Sequence, residues 1–205
     1  MKEKDLILAA KYVSLCFTPL IVPFLGFTAL LFFSYLNVFP LLYKLMILVM
    51  VYIFTILVPR LTIRLYRSVN GWTSRQMGKK ERRIVPYALS ITSYVFCLIL
   101  MYRLHMPRFM SGILVASLVG MIICAVINVW WKVSTHTAGV GAFTGGLISF
   151  GVLFQFNPVW YLCLALLFSG AVCTSRIILR QHTLAEVTVG YVVGFFCGLF
   201  GVLFM

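Results

Sequence analysis

Two of the three histidines in this sequence stand where an imidazole could do acid–base or nucleophilic work. His182 sits in the stretch "SRIILRQHTLAE", Ser175 to Glu186, four residues before a glutamate. A carboxylate one helical turn from an imidazole can hold its ring N–H, which fixes the tautomer and stabilises the imidazolium form. Glu186 is also the only acidic residue after position 81, and an acid entering an apolar run requires a partner. The bland alternative is a pair that only anchors a helix end. Arg176 and Arg180, four apart, add two guanidinium groups, and the spacing places the stretch at the start of a last helix. His136 lies in "STHTAG", Ser134 to Gly139, at the head of the small-residue run "TAGVGAFTGG". Free backbone N–H groups at such a helix start favour an anion, and small residues let the backbone approach it closely. A tightly packed turn would account for the glycines equally well, but it leaves His136 without a task.

The elements that must hold these groups are membrane spans. Of 205 residues, 62% are hydrophobic and only 10% charged, which is more apolar surface than a soluble domain of that size can hide. Runs near the roughly 20 residues that a crossing needs fall at 15–36, 41–66, 84–104, 109–131, 138–154, 159–179 and 185–205. Pro19 and Pro23 interrupt the first run, and residues 5–16 could form a separate interfacial helix with Lys4 and Lys11 on its polar side. The expected fold is all-α: one integral membrane domain over residues 1–205, a polytopic helix bundle with six or seven transmembrane helices. The leading "MKEKD" has mixed charges and no clear cleavage site follows, so a cleavable signal is not expected.

The turns between spans fall into two alternating sets, one on each side of the membrane. "NVFP", "HMPR" and "QFNP" carry little chemistry, whereas residues 67–83, 132–137 and 180–183 carry nearly all of it. The net charge of +13 would suggest nucleic acid in a soluble protein. Here the cations border apolar runs, so anionic lipid head groups are the expected partners and nucleic acid is not. On a helix expected over 75–83, Arg75, Lys79, Arg82 and Arg83 share one face. That face is either a solvated basic patch or a cradle for a phosphate dianion, whose oxygens suit guanidinium forks. The six cysteines lack metal-ligand spacing and read as small buried apolar residues. His105, beside Pro107 and Arg108, reads as loop, while Trp130, Trp131, Trp160 and Tyr161 read as an interfacial belt.

Taken together, Ser134–Gly139 and Ser175–Glu186 resemble motifs of the type-2 phosphatidic acid phosphatase superfamily of metal-independent membrane phosphatases. Its third motif is Ser-Arg, five residues, His, three residues and an acid, matched by Ser175, Arg176, His182 and Glu186, with Glu in place of the usual Asp. Its second is matched at Ser134, Thr135 and His136, with Val133 in place of proline. The first, a Lys followed after six residues by Arg-Pro, is blurred: "KKERRIVPY" keeps the cations but sets Pro86 two residues beyond Arg83. Lys79, Lys80, Arg82 and Arg83 are its candidates. The resemblance implies that His182 attacks phosphorus, oriented by Glu186. It further implies that His136 protonates the leaving oxygen and then activates water. Arg176, Ser134, Thr135 and the basic cluster would hold the phosphoryl oxygens. No cofactor and no metal are expected, since the sequence offers no carboxylate cage.

The implied substrate is a phosphate on a membrane lipid, such as isoprenyl pyrophosphate, phosphatidylglycerophosphate, phosphatidic acid or lipid A phosphate. A transporter or flippase of anionic lipids could use the same cations without chemistry. The expected setting is multi-pass in a membrane, with a bacterial inner membrane implied. The motif side holds most of the cations, leaving Lys44, Arg103 and Arg108 opposite, so the positive-inside rule turns the site toward the cytoplasm.

Overall fold

Prolines resolve the ambiguous first run. In the computed structural model, which describes residues 3–71, 84–155 and 157–204, α1 (Glu3–Cys16) and α2 (Val22–Phe33) are separate helices joined through Pro19. Pro23 stands in the first turn of α2, where a missing N–H costs nothing. With 12 residues α2 is about 18 Å long, well short of a hydrocarbon core of roughly 30 Å. Among the described residues, six helices are long and apolar enough to cross a membrane, which selects six spans over seven. They are α3 (Leu41–Val69), α4 (Ile84–Arg103), α5 (Arg108–Trp130), α6 (Thr135–Phe154), α7 (Val159–Ile178) and α8 (Leu184–Leu203). The short α2 is a plug: Phe27, Leu30 and Leu31 have no exposed surface and pack with Ile47, Val51, Tyr94 and Leu114 in the main core. Trp130 and Trp160, at span ends, are exposed as belt residues must be.

Proline also shapes α3. Pro59 has no N–H to give to the preceding turn, and its ring crowds the carbonyl behind it. The helix relaxes into a π-turn over Ile53–Leu57 and continues to Val69, three residues beyond the expected end. Ser93 of α4 donates its hydroxyl to the Phe54 carbonyl inside that turn, and Thr55 donates to Val51. The polar groups released by the distortion are thereby used.

Two helices end on the same hydrogen-bond pattern. At the end of α7, Arg180 N–H donates to Ile177 and Gln181 N–H to Arg176, with Arg180 left-handed at φ 49°. At the end of α4, His105 N–H donates to Tyr102 and Met106 N–H to Met101, with His105 at φ 51°. This is the Schellman closure, which glycine usually serves. It gives His105 a structural task at the membrane end opposite to the motifs.

The closest packing is between α6 and α8. Both follow an odd-numbered span, so the two run parallel and begin at the same end of the bundle. An added Cβ at Gly194 would lie 1.9 Å from the Ala138 carbonyl oxygen, and one at Gly198 would lie 2.0 Å from that of Ala142. From the other side, Cβ atoms at Gly141 and Gly145 would lie 2.2 and 2.1 Å from the carbonyl oxygens of Tyr191 and Phe195. Backbone touches backbone, the small-residue mode of helix association in membranes. Gly194→Ala should therefore force the helices apart and cost about 1–3 kcal/mol or more. Gly170→Ala on α7, where nothing lies within 4 Å, should leave stability unchanged. Thermal unfolding of the two variants in detergent, side by side, checks this, and equal melting would refute the tight contact.

Candidate functional site

Each motif is placed by a helix cap. Ser134 is the N-cap of α6 and its hydroxyl accepts the Thr137 N–H, while Thr137 returns its own hydroxyl to the Ser134 carbonyl at 2.9 Å. Thr183 is the N-cap of α8 in a capping box with Glu186, each side chain accepting the other residue's backbone N–H. The two caps are tied together: Ser134 N–H donates to the Glu186 carbonyl at 3.3 Å, and the Lys132 ammonium donates to the Gln181 carbonyl.

This geometry corrects one sequence expectation. The stretch Ser175–Glu186 is not the start of one helix. Arg176 belongs to the last turn of α7, Arg180 occupies the left-handed turn, and α8 begins only at Leu184. His182 stands just outside α8, yet its Nδ1 lies 2.8 Å from Glu186 Oε2, the same oxygen that accepts the Thr183 N–H. With its oxygen fixed by the cap, the carboxylate holds His182 in the tautomer protonated at Nδ1, leaving the Nε2 lone pair unused by this contact. Both side chains are largely buried, 5% and 13% exposed. Burial lowers the His182 pKa to about 4, helped by the nearby cations Lys132 and Arg176 and opposed by the hydrogen bond and charge of Glu186. The ring is therefore neutral at pH 7.

A cavity of about 300 Å³ opens beside these caps. His136, His182, Arg176 and Thr135 line it, with Tyr87 and Ser90 of α4. Pro19, Leu20, Ile63, Pro86, Met121 and Val133 supply an apolar remainder. His136 stands in the first turn of α6, within electrostatic reach of both Arg176 and His182. Arg176 is 9% exposed, and its Nη1 donates to Ser14 Oγ at 2.7 Å. A basic, half-apolar pocket at two parallel helix N-termini can take an anionic group attached to a hydrocarbon.

Of the candidates read from sequence, His182, Glu186, His136, Arg176 and Thr135 are brought together around this cavity or its wall. Ser134 is not: it has no exposed surface and its hydroxyl is used in the cap. Lys79, Lys80, Arg82 and Arg83 lie outside the described residues, although Pro86, which ends their motif, lines the cavity. Among the described residues, no group of three or more histidine, cysteine, aspartate or glutamate side chains could hold a metal. Sequence reading missed Ser14 and Asn128. Asn128 donates to the Tyr87 hydroxyl at 3.0 Å and accepts the Val133 N–H, shaping the turn that delivers His136. A lone asparagine inside an apolar run was the available signal. No protein-family model matches the chain, and neither a curated protein nor a solved structure is found similar to it.

The neutral state of His182 has a measurable consequence. Its pKa lies below the ordinary 6.5, so its contribution to stability is intact above about pH 6.5 and is lost as pH falls toward 4. In ¹⁵N-histidine NMR the ring should titrate near 4. Glu186→Gln keeps the capping box but removes the charge, so it should move the midpoint lower still. A midpoint at 6.5 in the native protein would show that the ring is not desolvated.

Proposed function

We propose that this protein is a metal-independent lipid phosphatase of the type-2 phosphatidic acid phosphatase kind. The observation that carries the reading is the 2.8 Å contact between His182 Nδ1 and Glu186, made at the wall of a cavity that also holds His136 and Arg176. In this reading His182 Nε2 attacks phosphorus, and the bond from phosphorus to the lipid oxygen breaks as the P–N bond forms. The negative charge of the bound phosphate favours the protonated form of His136, which gives its proton to the departing oxygen. The positive charge that develops on His182 is stabilised by Glu186. Neutral His136 then takes a proton from water, which attacks phosphorus, breaks the P–N bond and returns His182. Arg176, Thr135 and the cations of the 79–83 segment hold the phosphoryl oxygens, and such positioning is most of what phosphoryl transfer requires.

The apolar remainder of the cavity supports a lipid over a soluble phosphoester. Isoprenyl pyrophosphate, phosphatidylglycerophosphate, phosphatidic acid and lipid A phosphate all fit that description. We infer a bacterial inner membrane as the setting, and from the distribution of cations a site on its cytoplasmic side.

Phosphate release from these four lipids by the purified protein tests the proposal. His182→Ala should fold and release none, and His136→Ala should be slower by about 10²–10⁴. Activity should persist in EDTA, and loss restored by Mg²⁺ would overturn the histidine mechanism. Movement of anionic lipid that survives His182→Ala, with no phosphate release by the native protein, would instead identify a flippase. Neutralising Arg82 or Arg83 should hurt turnover far more than neutralising Arg67, whereas uniform small effects would return the cluster to a plain basic surface. Orientation is read separately, by impermeant labelling of Asn70→Cys and Asn157→Cys in a cysteine-free background. Both positions are exposed, at opposite ends of the bundle. Labelling of Asn157→Cys alone in intact cells is expected, and labelling of Asn70→Cys alone would place the site outside.

A further inference from the structure

We propose that Ser14, on the N-terminal helix α1, is a positioning residue that holds Arg176 in its phosphate-binding pose and makes α1 part of the site. This rests on the phosphatase reading for the role of Arg176, but not for the contact itself. Arg176 Nη1 donates to Ser14 Oγ at 2.7 Å, and the two groups are 9% and 7% exposed. They stand 162 positions apart in sequence, so only tertiary packing joins them. The packing is specific. α1 lies along α7 with its small buried residues, Ala10 and Ser14, one turn apart on the inner face. The Phe17 and Phe168 rings meet at 5.2 Å beyond them. Leu8, Tyr12 and Leu15 lie on the opposite side of the helix and are exposed. The Ser14 backbone also faces the His136 ring, and Pro19, five residues on, lines the cavity. A single turn of α1 thus touches both the arginine and the second histidine.

The chemistry of the partner matters. An arginine side chain is long and has many rotamers, so one short hydrogen bond from its guanidinium to a fixed acceptor removes much of that freedom before an anion arrives. A carboxylate at position 14 would do so more strongly, but it would neutralise the cation and compete with phosphate. A hydroxyl orients the guanidinium and leaves its charge in place. Hydrogen bonds to charged groups are strong enough for the loss of this one to be read in affinity.

The test is a double-mutant cycle read by binding of inorganic phosphate to the full-length protein in detergent. Ser14→Ala should weaken phosphate binding by about 10- to 100-fold. In an Arg176→Ala background, Ser14→Ala should cause no further loss, because the group it positions is gone. Ser14→Thr, which keeps the hydroxyl, should retain most of the affinity, and Tyr12→Ala on the exposed face of α1 should bind as the native protein does. If Ser14→Ala does not fold, Ser14→Cys, of similar volume and weaker as an acceptor, serves in the same cycle. Equal losses in both backgrounds, or no loss in either, would overturn the inference and leave Ser14 as a packing residue. Absence of phosphate binding to the native protein would overturn it as well. Phosphate binding without hydrolysis of any lipid would remove the phosphatase reading alone and leave the coupling standing.

Discussion

The contact between the backbones of α6 and α8 is the constraint on which the rest of the site depends. At Gly194 and Gly198 the space a side chain would need is filled by the carbonyl oxygens of Ala138 and Ala142, so the two helices cannot slide past one another. Because they are parallel, fixing their register also fixes the height of their N-termini. His136 and Glu186 are each within the first turn of one of these helices, and the ends are joined by the bond from Ser134 N–H to the Glu186 carbonyl. In addition, the two helix dipoles present their positive ends to the same small region. Lipid tails offer no hydrophobic drive for helix association, so dispersion over this close contact supplies it together with interhelical hydrogen bonds, including the one from the Ser149 hydroxyl to the Leu199 carbonyl at 2.6 Å.

The structure places buried charge at both ends of the bundle and treats it differently. At the end opposite to the site, Lys44 is 4% exposed, donates to both the carbonyl and the side chain of Asn37, and lies 5.0 Å from the centre of the Phe32 ring. Its donors are met by groups close in sequence, and the result closes the turn before α3. Arg176 is met instead by a residue from the far end of the chain and lies on a cavity. A buried cation that fastens its own neighbourhood and one that reaches across the fold toward open space have different physical meanings. The motif around Arg176 and the position of Lys44 on the other side already set the two apart in sequence, but the partner of each is visible only in the fold.

The six spans were legible because apolar length is a one-dimensional property. The prolines at 19 and 23 announced the break between α1 and α2, but only the 12-residue length of α2 excludes a seventh crossing. The π-turn before Pro59 was hidden, since an interior proline can be met by a kink, a bulge or a helix end, and packing against Ser93 selects among them. The pairing of His182 with Glu186 was readable from its spacing, although by the wrong geometry. A capping box, rather than one continuous helix, brings the two side chains together. The left-handed Arg180 that makes this possible gives no local signal, because glycine or asparagine is what such a turn normally selects. Ser134 illustrates the opposite error: a hydroxyl in a polar motif suggested a ligand, and the helix start claimed it.

The modest size of the cavity bears on how the protein meets anything hydrophobic. About 300 Å³, shared between a cationic wall and an apolar one, accommodates a head group and the first part of a chain, not an entire membrane lipid. For a lipid ligand of the kind proposed, the rest of the molecule would stay among its neighbours in the leaflet while its polar end is engaged. Encounter with such a ligand would be a search in two dimensions, and saturation would follow its mole fraction within the bilayer. Diluting the whole suspension with buffer would leave occupancy nearly untouched, whereas adding inert lipid or detergent would lower it.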